Sequence, residues 1–210
     1  MLMVGSDMLN MPVLSFHVGG QIAVTDAAII DPEDLSVRAY HLGGPLIASD
    51  PEIGDVLDTR DIREVGTDGA IIDSTDVLVT ADQVMRIKEI LDLNFDLIGL
   101  KVVTKQGKKL GKVVDYTIDS STFSIYQIIV QRPFMESFLD PQLTINRSQI
   151  IELDDYTITI KHDKQNVKVP KVTEAKEKAQ DLKQNFENPF RDKNILHEKE
   201  LAEDQSGKQN

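Results

Sequence analysis

The stretch "GKKLGKVVDYTID", from Gly107 to Asp119, holds the residues best placed for chemistry. Two glycines, a lysine after the second and an apolar run are the ingredients of a phosphate-binding loop. Such a loop needs four residues between its glycines, then Lys followed by Ser or Thr, then a helix. Here Gly107 and Gly111 are too close by one residue, Val113 follows Lys112, and the continuation alternates like a strand. The stretch therefore reads as a hairpin turn. His17, His41, His162 and His197 stand far apart, without the spacing of metal ligands. There is no cysteine, which excludes disulfides, thiolate catalysis and cysteine metal sites. The carboxylate pairs Glu33/Asp34, Asp58/Asp61 and Asp154/Asp155 lack the glycine and spacing of a calcium loop. The expectation is a chain that is not an enzyme, with no catalytic residue, metal or cofactor.

Two clusters could bind rather than react. Lys101, Lys105, Lys108, Lys109 and Lys112 lie on and beside one turn. They could contact an acidic partner, RNA, or the chain's own acidic first segment. The plainer reading is a charged hairpin that discourages edge-to-edge pairing. The loop "RPFMESFLDP", Arg132 to Pro141, carries Phe134, Met135, Phe138 and Leu139, the most apolar stretch outside the strands. Phe134, Phe138 and Leu139 suit one face of a helical turn. They could be a lid over a barrel end or a protein-docking patch, since exposed contiguous apolar surface usually marks an interface.

Charge is unevenly placed. The net charge is −12. Residues 1–92 hold 5 Lys and Arg against 17 Asp and Glu, whereas residues 93–163 hold 8 against 9. The first segment should repel DNA and anionic lipid. No apolar run reaches the roughly 18 residues of a membrane span, and the N-terminal stretch carries Asp7 without a positive leader. A soluble, cytoplasmic chain is expected, its oligomeric state open.

The elements that carry these clusters repeat. A shift of 88 positions lays Ile22–Pro45 on Leu110–Pro133 and matches Ile30 with Ile118, Asp31 with Asp119, Ser36 with Ser124 and Pro45 with Pro133. The same shift lays Ile62 on Ile150 and Glu64 on Glu152. Each copy reads as short strands: in the second, "LKVVT", "LGKVVDYTID", "FSIYQIIVQ", "LTINRSQIIEL" and "YTITIKH". Their β-branched and aromatic residues suit a pleated, half-buried surface. This spacing predicts a mainly β chain of two small closed barrels or sandwiches. The expected division is residues 1–80, a connector helix over 81–92, residues 93–163, and a charged tail over 164–210. Thr80 and Gln83 have capping-box spacing, and Val84, Ile87, Ile90 and Leu91 share a helical face. In the tail, Thr173 can cap a marginal helix along Ala175, Ala179, Leu182 and Phe186, with disorder beyond about Asn188.

The second copy, "LIGLKVVTKQGKKLGKVVDYTIDSSTFSIYQIIVQ" followed by "LTINRSQIIELDDYTITI", resembles the PRC-barrel family over residues 97–161. The matching positions are Gly99, Val102, Gly107, Gly111, Asp115, Asp119, Ile128, Ile150 and Ile158. The first copy, about residues 10–79, matches less well, with Ala23 and Ala27 in place of a glycine and an aspartate. The resemblance implies a small β-barrel used as a docking module, in a family that carries no catalytic residues. It implies a protein-binding adaptor or scaffold. The alternative is an accessory role in small-subunit ribosome maturation, by analogy with a maturation factor that ends in such a domain. A further alternative is small-ligand binding between the barrels.

Overall fold

The computed structural model describes residues 1–50, 53–133 and 141–161. Phe134, Met135, Phe138 and Leu139, His162 and the whole expected tail helix lie outside the described residues. Among the described residues no helix is long and apolar enough to cross a membrane.

The chain is mainly β and builds two barrel-like sheets of the same design. The first contains β2 (Pro12–Ser15), β3 (Gly20–Asp31), β4 (Ser36–Gly43), β5 (Val56–Asp58), β6 (Ile62–Val65) and β7 (Ala70–Ile72), in the order β5-β4-β3-β2-β7-β6. The second contains β8 (Lys101–Thr104), β9 (Lys109–Asp119), β10 (Ile125–Gln131), β11 (Gln142–Asn146), β12 (Ile150–Leu153) and β13 (Thr157–Ile160), in the order β11-β10-β9-β8-β13-β12. Each sheet has one parallel pair, β2 with β7 and β8 with β13, among antiparallel ones. The end strands of each sheet are joined by a 3-10 turn rather than by a ladder, so the chain itself makes the corner.

The repeat extends to the irregularities. In β3–β4 the pairing slips between Thr25 and Ala27 and again between Ile29 and Ile30; in β9–β10 it slips between Asp115 and Val113 and between Thr117 and Ile118. These are the same positions displaced by 88. Bulges re-aim side chains and sharpen twist, so shared bulges mean shared curvature. The region read as "LTINRSQIIEL" is two strands rather than one. Asn146 and Gln149 form a capping box around Arg147–Gln149 and turn the chain there.

The hairpin turn at Gly107 is present. Gly107 has φ 80°, and its amide donates to the Thr104 carbonyl at 2.8 Å. Gly111, at φ 150°, sits where a Cβ would come within 1.9 Å of the Gln131 carbonyl oxygen, so glycine alone permits this approach of β9 and β10.

Two arms flank the barrels. α1 (Pro45–Ser49) lies in the first repeat at the place of the Phe134 loop in the second, and Leu46, Ile47 and Ile53 pack on the core. Thr80 and Gln83 form the expected capping box, followed by α2 (Met85–Asp92). α2 buries Ile87 and Ile90 against Ile29, Ala39 and Val56 of the first sheet. Each such side chain contributes about 2 kcal/mol on burial. β1 (Leu2–Val4), although N-terminal to the first sheet, pairs with Thr117–Asp119 of β9 in the second.

Both sheets belong to one compact body, Met1–Val167, and share one apolar core. Their junction is a near-symmetric contact. Ser36 bridges Ser124; the Val37 amide donates to the Phe123 carbonyl at 2.9 Å, and the Ile125 amide donates to the Leu35 carbonyl at 2.9 Å. Ser36 meets its own counterpart under the 88-residue shift and the two hydrogen bonds map onto each other, the reciprocity expected of a two-fold contact. Leu35 and Phe123 both take positive φ, 48° and 55°, which is costly without glycine. The Phe123 ring meets Tyr40 edge-on, with centroids 6.4 Å apart.

Candidate functional site

At the open end of the β9–β10 hairpin lies a groove of about 530 Å³. It is built by a simple register. Lys101 of β8 stands opposite Lys112 of β9, and Lys112 stands opposite Gln131 of β10. Like charges directly opposed across a sheet destabilise it. Lys109 and Arg132 complete a basic rim, while Val103, Val114 and Pro133 give an apolar floor. Val114 is 41% exposed, so this floor is open to a ligand. Among the described residues no ion pair joins Lys101, Lys109 or Lys112 to a carboxylate. The groove is therefore cationic and partly greasy. It suits a segment carrying both acidic and apolar side chains.

The structure brings Lys101, Lys109 and Lys112 of the lysine cluster to the groove; Lys105 and Lys108 are exposed in the adjoining turn, outside its lining. At the groove's edge the Arg132 amide donates to the Pro141 carbonyl at 3.0 Å, on either side of the residues outside the described ones. Arg132 and Val114 were not singled out from the sequence. The signal was the strand register, which places Lys112 beside Gln131 and so brings Arg132 alongside.

The glycines and aspartates of the family pattern have structural work. Gly99, at φ 90°, turns the chain into β8. Asp115 accepts the Ser6 amide at 3.1 Å and so anchors the N-terminal arm. Beside it, burial pushes the Tyr116 phenol well above its ordinary range, and Gly5 lies so close that a Cβ there would fall 2.5 Å from the ring. Asp119 closes β9 by accepting the Ser121 hydroxyl at 2.5 Å and amide at 2.8 Å, which hold its carboxyl below the usual range.

A strand order of β11-β10-β9-β8-β13-β12, with these glycines at its turns, can be set beside known domains. The PRC-barrel domain matches residues 91–173. The second repeat is a PRC-barrel. No curated protein matches the chain. The matched segment contains every strand of the second sheet except the added β1, and all the groove residues. The first repeat lies outside the match and is tied to the PRC-barrel by the shared strand order and bulges.

Proposed function

We propose that the chain is a non-enzymatic protein-docking module. Its PRC-barrel groove takes an acidic segment with an apolar anchor from a protein partner. The observation that carries this reading is the Lys101–Lys112 pair, held directly opposite over an apolar floor despite mutual repulsion. Charge complementarity with the basic rim favours an acidic occupant. The Phe134–Leu139 loop adjoins the groove along the chain and belongs to the same docking surface in this reading.

The test uses a fluorescent peptide of alternating Glu with one central Leu and one Phe. Changing both Lys101→Glu and Lys112→Glu should weaken binding at least about tenfold, and the wild-type affinity should fall steeply with salt. Phe134→Ser with Phe138→Ser should weaken it further without changing the salt slope. Equal affinity in the charge-reversed chain would end this reading. Tighter binding of an oligouridylate of equal charge would replace the protein partner by RNA.

A further inference from the structure

The two repeats place the same positions in two different states. In the first, Arg38 Nε donates to Asp31 at 3.0 Å and its terminal nitrogen pairs with Asp34. The Ser36 hydroxyl also reaches Asp34, at 2.7 Å. Next to them Arg60 makes two side-chain bonds to Asp58, at 3.0 and 2.6 Å. Two guanidinium groups thus fill this corner with charge-assisted bonds.

Displaced by 88, the corner changes character. Asp119 replaces Asp31 unchanged, but Tyr126 stands for Arg38, Thr122 for Asp34, Asn146 for Asp58 and Ser148 for Arg60. Both aligned arginines are gone and one carboxylate remains. The result is an open pocket of about 530 Å³ lined by these residues. The Tyr126 side is open, the residue being 50% exposed. Asp119 keeps 41% of its side chain accessible, and the Met1 ammonium stands 3.9 Å from its Oδ1.

We propose that this pocket takes an arginine side chain from a protein partner, in the role that Arg38 plays in the first repeat. The guanidinium pairs with Asp119 and lies against the Tyr126 ring, where a cation over an aromatic face gains further attraction. The Thr122 and Ser148 hydroxyls supply neutral oxygens for its remaining N–H groups, while the Asn146 oxygen stays with the Ser148 amide and hydroxyl, at 2.9 and 2.8 Å. Arginine is preferred to lysine because its planar fork can satisfy several acceptors at once while stacking. Arg147 also lines the pocket and is exposed, so its charge sets the polarity beside the bound guanidinium. A second basic residue beside the arginine is disfavoured, and an acidic one is welcome. The pocket lies at the Asp119–Ile125 turn, the opposite end of the β9–β10 hairpin from the lysine groove. The proposal stands whether or not the groove binds an acidic segment.

The experiment titrates the full chain, labelled with nitrogen-15, with three blocked peptides: Gly-Ser-Arg-Ser-Gly and its lysine and citrulline analogues. Amide shifts at Thr122, Tyr126 and Ser148 are expected with the arginine peptide, weaker by about tenfold with lysine and absent with the neutral citrulline. Asp119→Asn should weaken the arginine response by about tenfold. Tyr126→Arg together with Thr122→Asp rebuilds the first repeat's ion pairs, so that variant should fill its own pocket and show no response, with the shifts of the first repeat unchanged. An unresponsive wild type, an equal response to citrulline, or a full response in either variant overturns the proposal.

Discussion

Gly111 shows at the scale of one residue why a family pattern keeps its glycines. Its Cβ position is occupied by the Gln131 carbonyl, and φ is 150°. Gly111→Ala should therefore destabilise the chain by about 2 kcal/mol or more, read as a lower urea midpoint at unchanged slope. A change below about 0.5 kcal/mol would show that β9 and β10 separate at little cost. In the first repeat the same place holds Ala23, and Gly43 pairs with the next residue, Val24. The alanine at this place was legible in the sequence; the residues across the ladder from it were not. Gly43 is twenty residues away in the chain and adjacent only through pairing. The lysines illustrate the same limit: their clustering was legible, but not that Lys101 stands opposite Lys112 while Lys105 lies in the adjoining turn.

At the scale of elements, the corner after β5 and the corner after β11 solve one problem twice. Both need an acceptor for the first amides of a 3-10 turn. Asp58 accepts the Arg60 amide at 2.9 Å, and Asn146 accepts the Ser148 amide at 2.9 Å. Burial favours the neutral form of Asp58, but its hydrogen bonds to Arg60 outweigh this and hold the carboxyl below its usual range. A carboxyl lowered in the folded state adds stability above the unfolded value, about 3.9, and loses it as pH falls through the folded one. The double change Asp58→Asn with Arg60→Ser copies the second repeat. It should cost less than about 1 kcal/mol near neutral pH, because the cap persists. Its stability should also fall less steeply than wild type between about pH 5 and pH 2, by urea titration at each pH. An identical acid slope would remove Asp58 from the acid response. Asn146 and Gln149 had capping-box spacing in plain sight, yet the surrounding apolar residues read as one strand. Local capping outweighed β-propensity because the sheet must turn there.

At the scale of the molecule, the repeats are joined by the contact that both halves make equally. Leu35 and Phe123 hold left-handed conformations, and each offers its carbonyl to the other repeat. Such strain persists only where the surroundings over-determine it. Phe123→Ala removes the ring from Tyr40 and from the shared core, and should destabilise by about 3 kcal/mol. Because the core is shared, amide exchange should rise in β4 and β10 together; a rise confined to β10 would mean that the repeats open independently. The β character, the turns, the 88-residue repeat and the family of the second copy were determined by the sequence alone. They rest on alternation, turn chemistry and self-similarity, which are local or need only counting. Tertiary structure decided the rest: the parallel closures of β2 on β7 and β8 on β13, the crossing of β1 to the second sheet, and the pairing of two strained turns at the junction. It also decided that equivalent corners become an ion-paired knot in one repeat and an open pocket in the other. These outcomes depend on which distant side chains and backbone groups meet, and the free energy of such meetings is set by the whole packed chain.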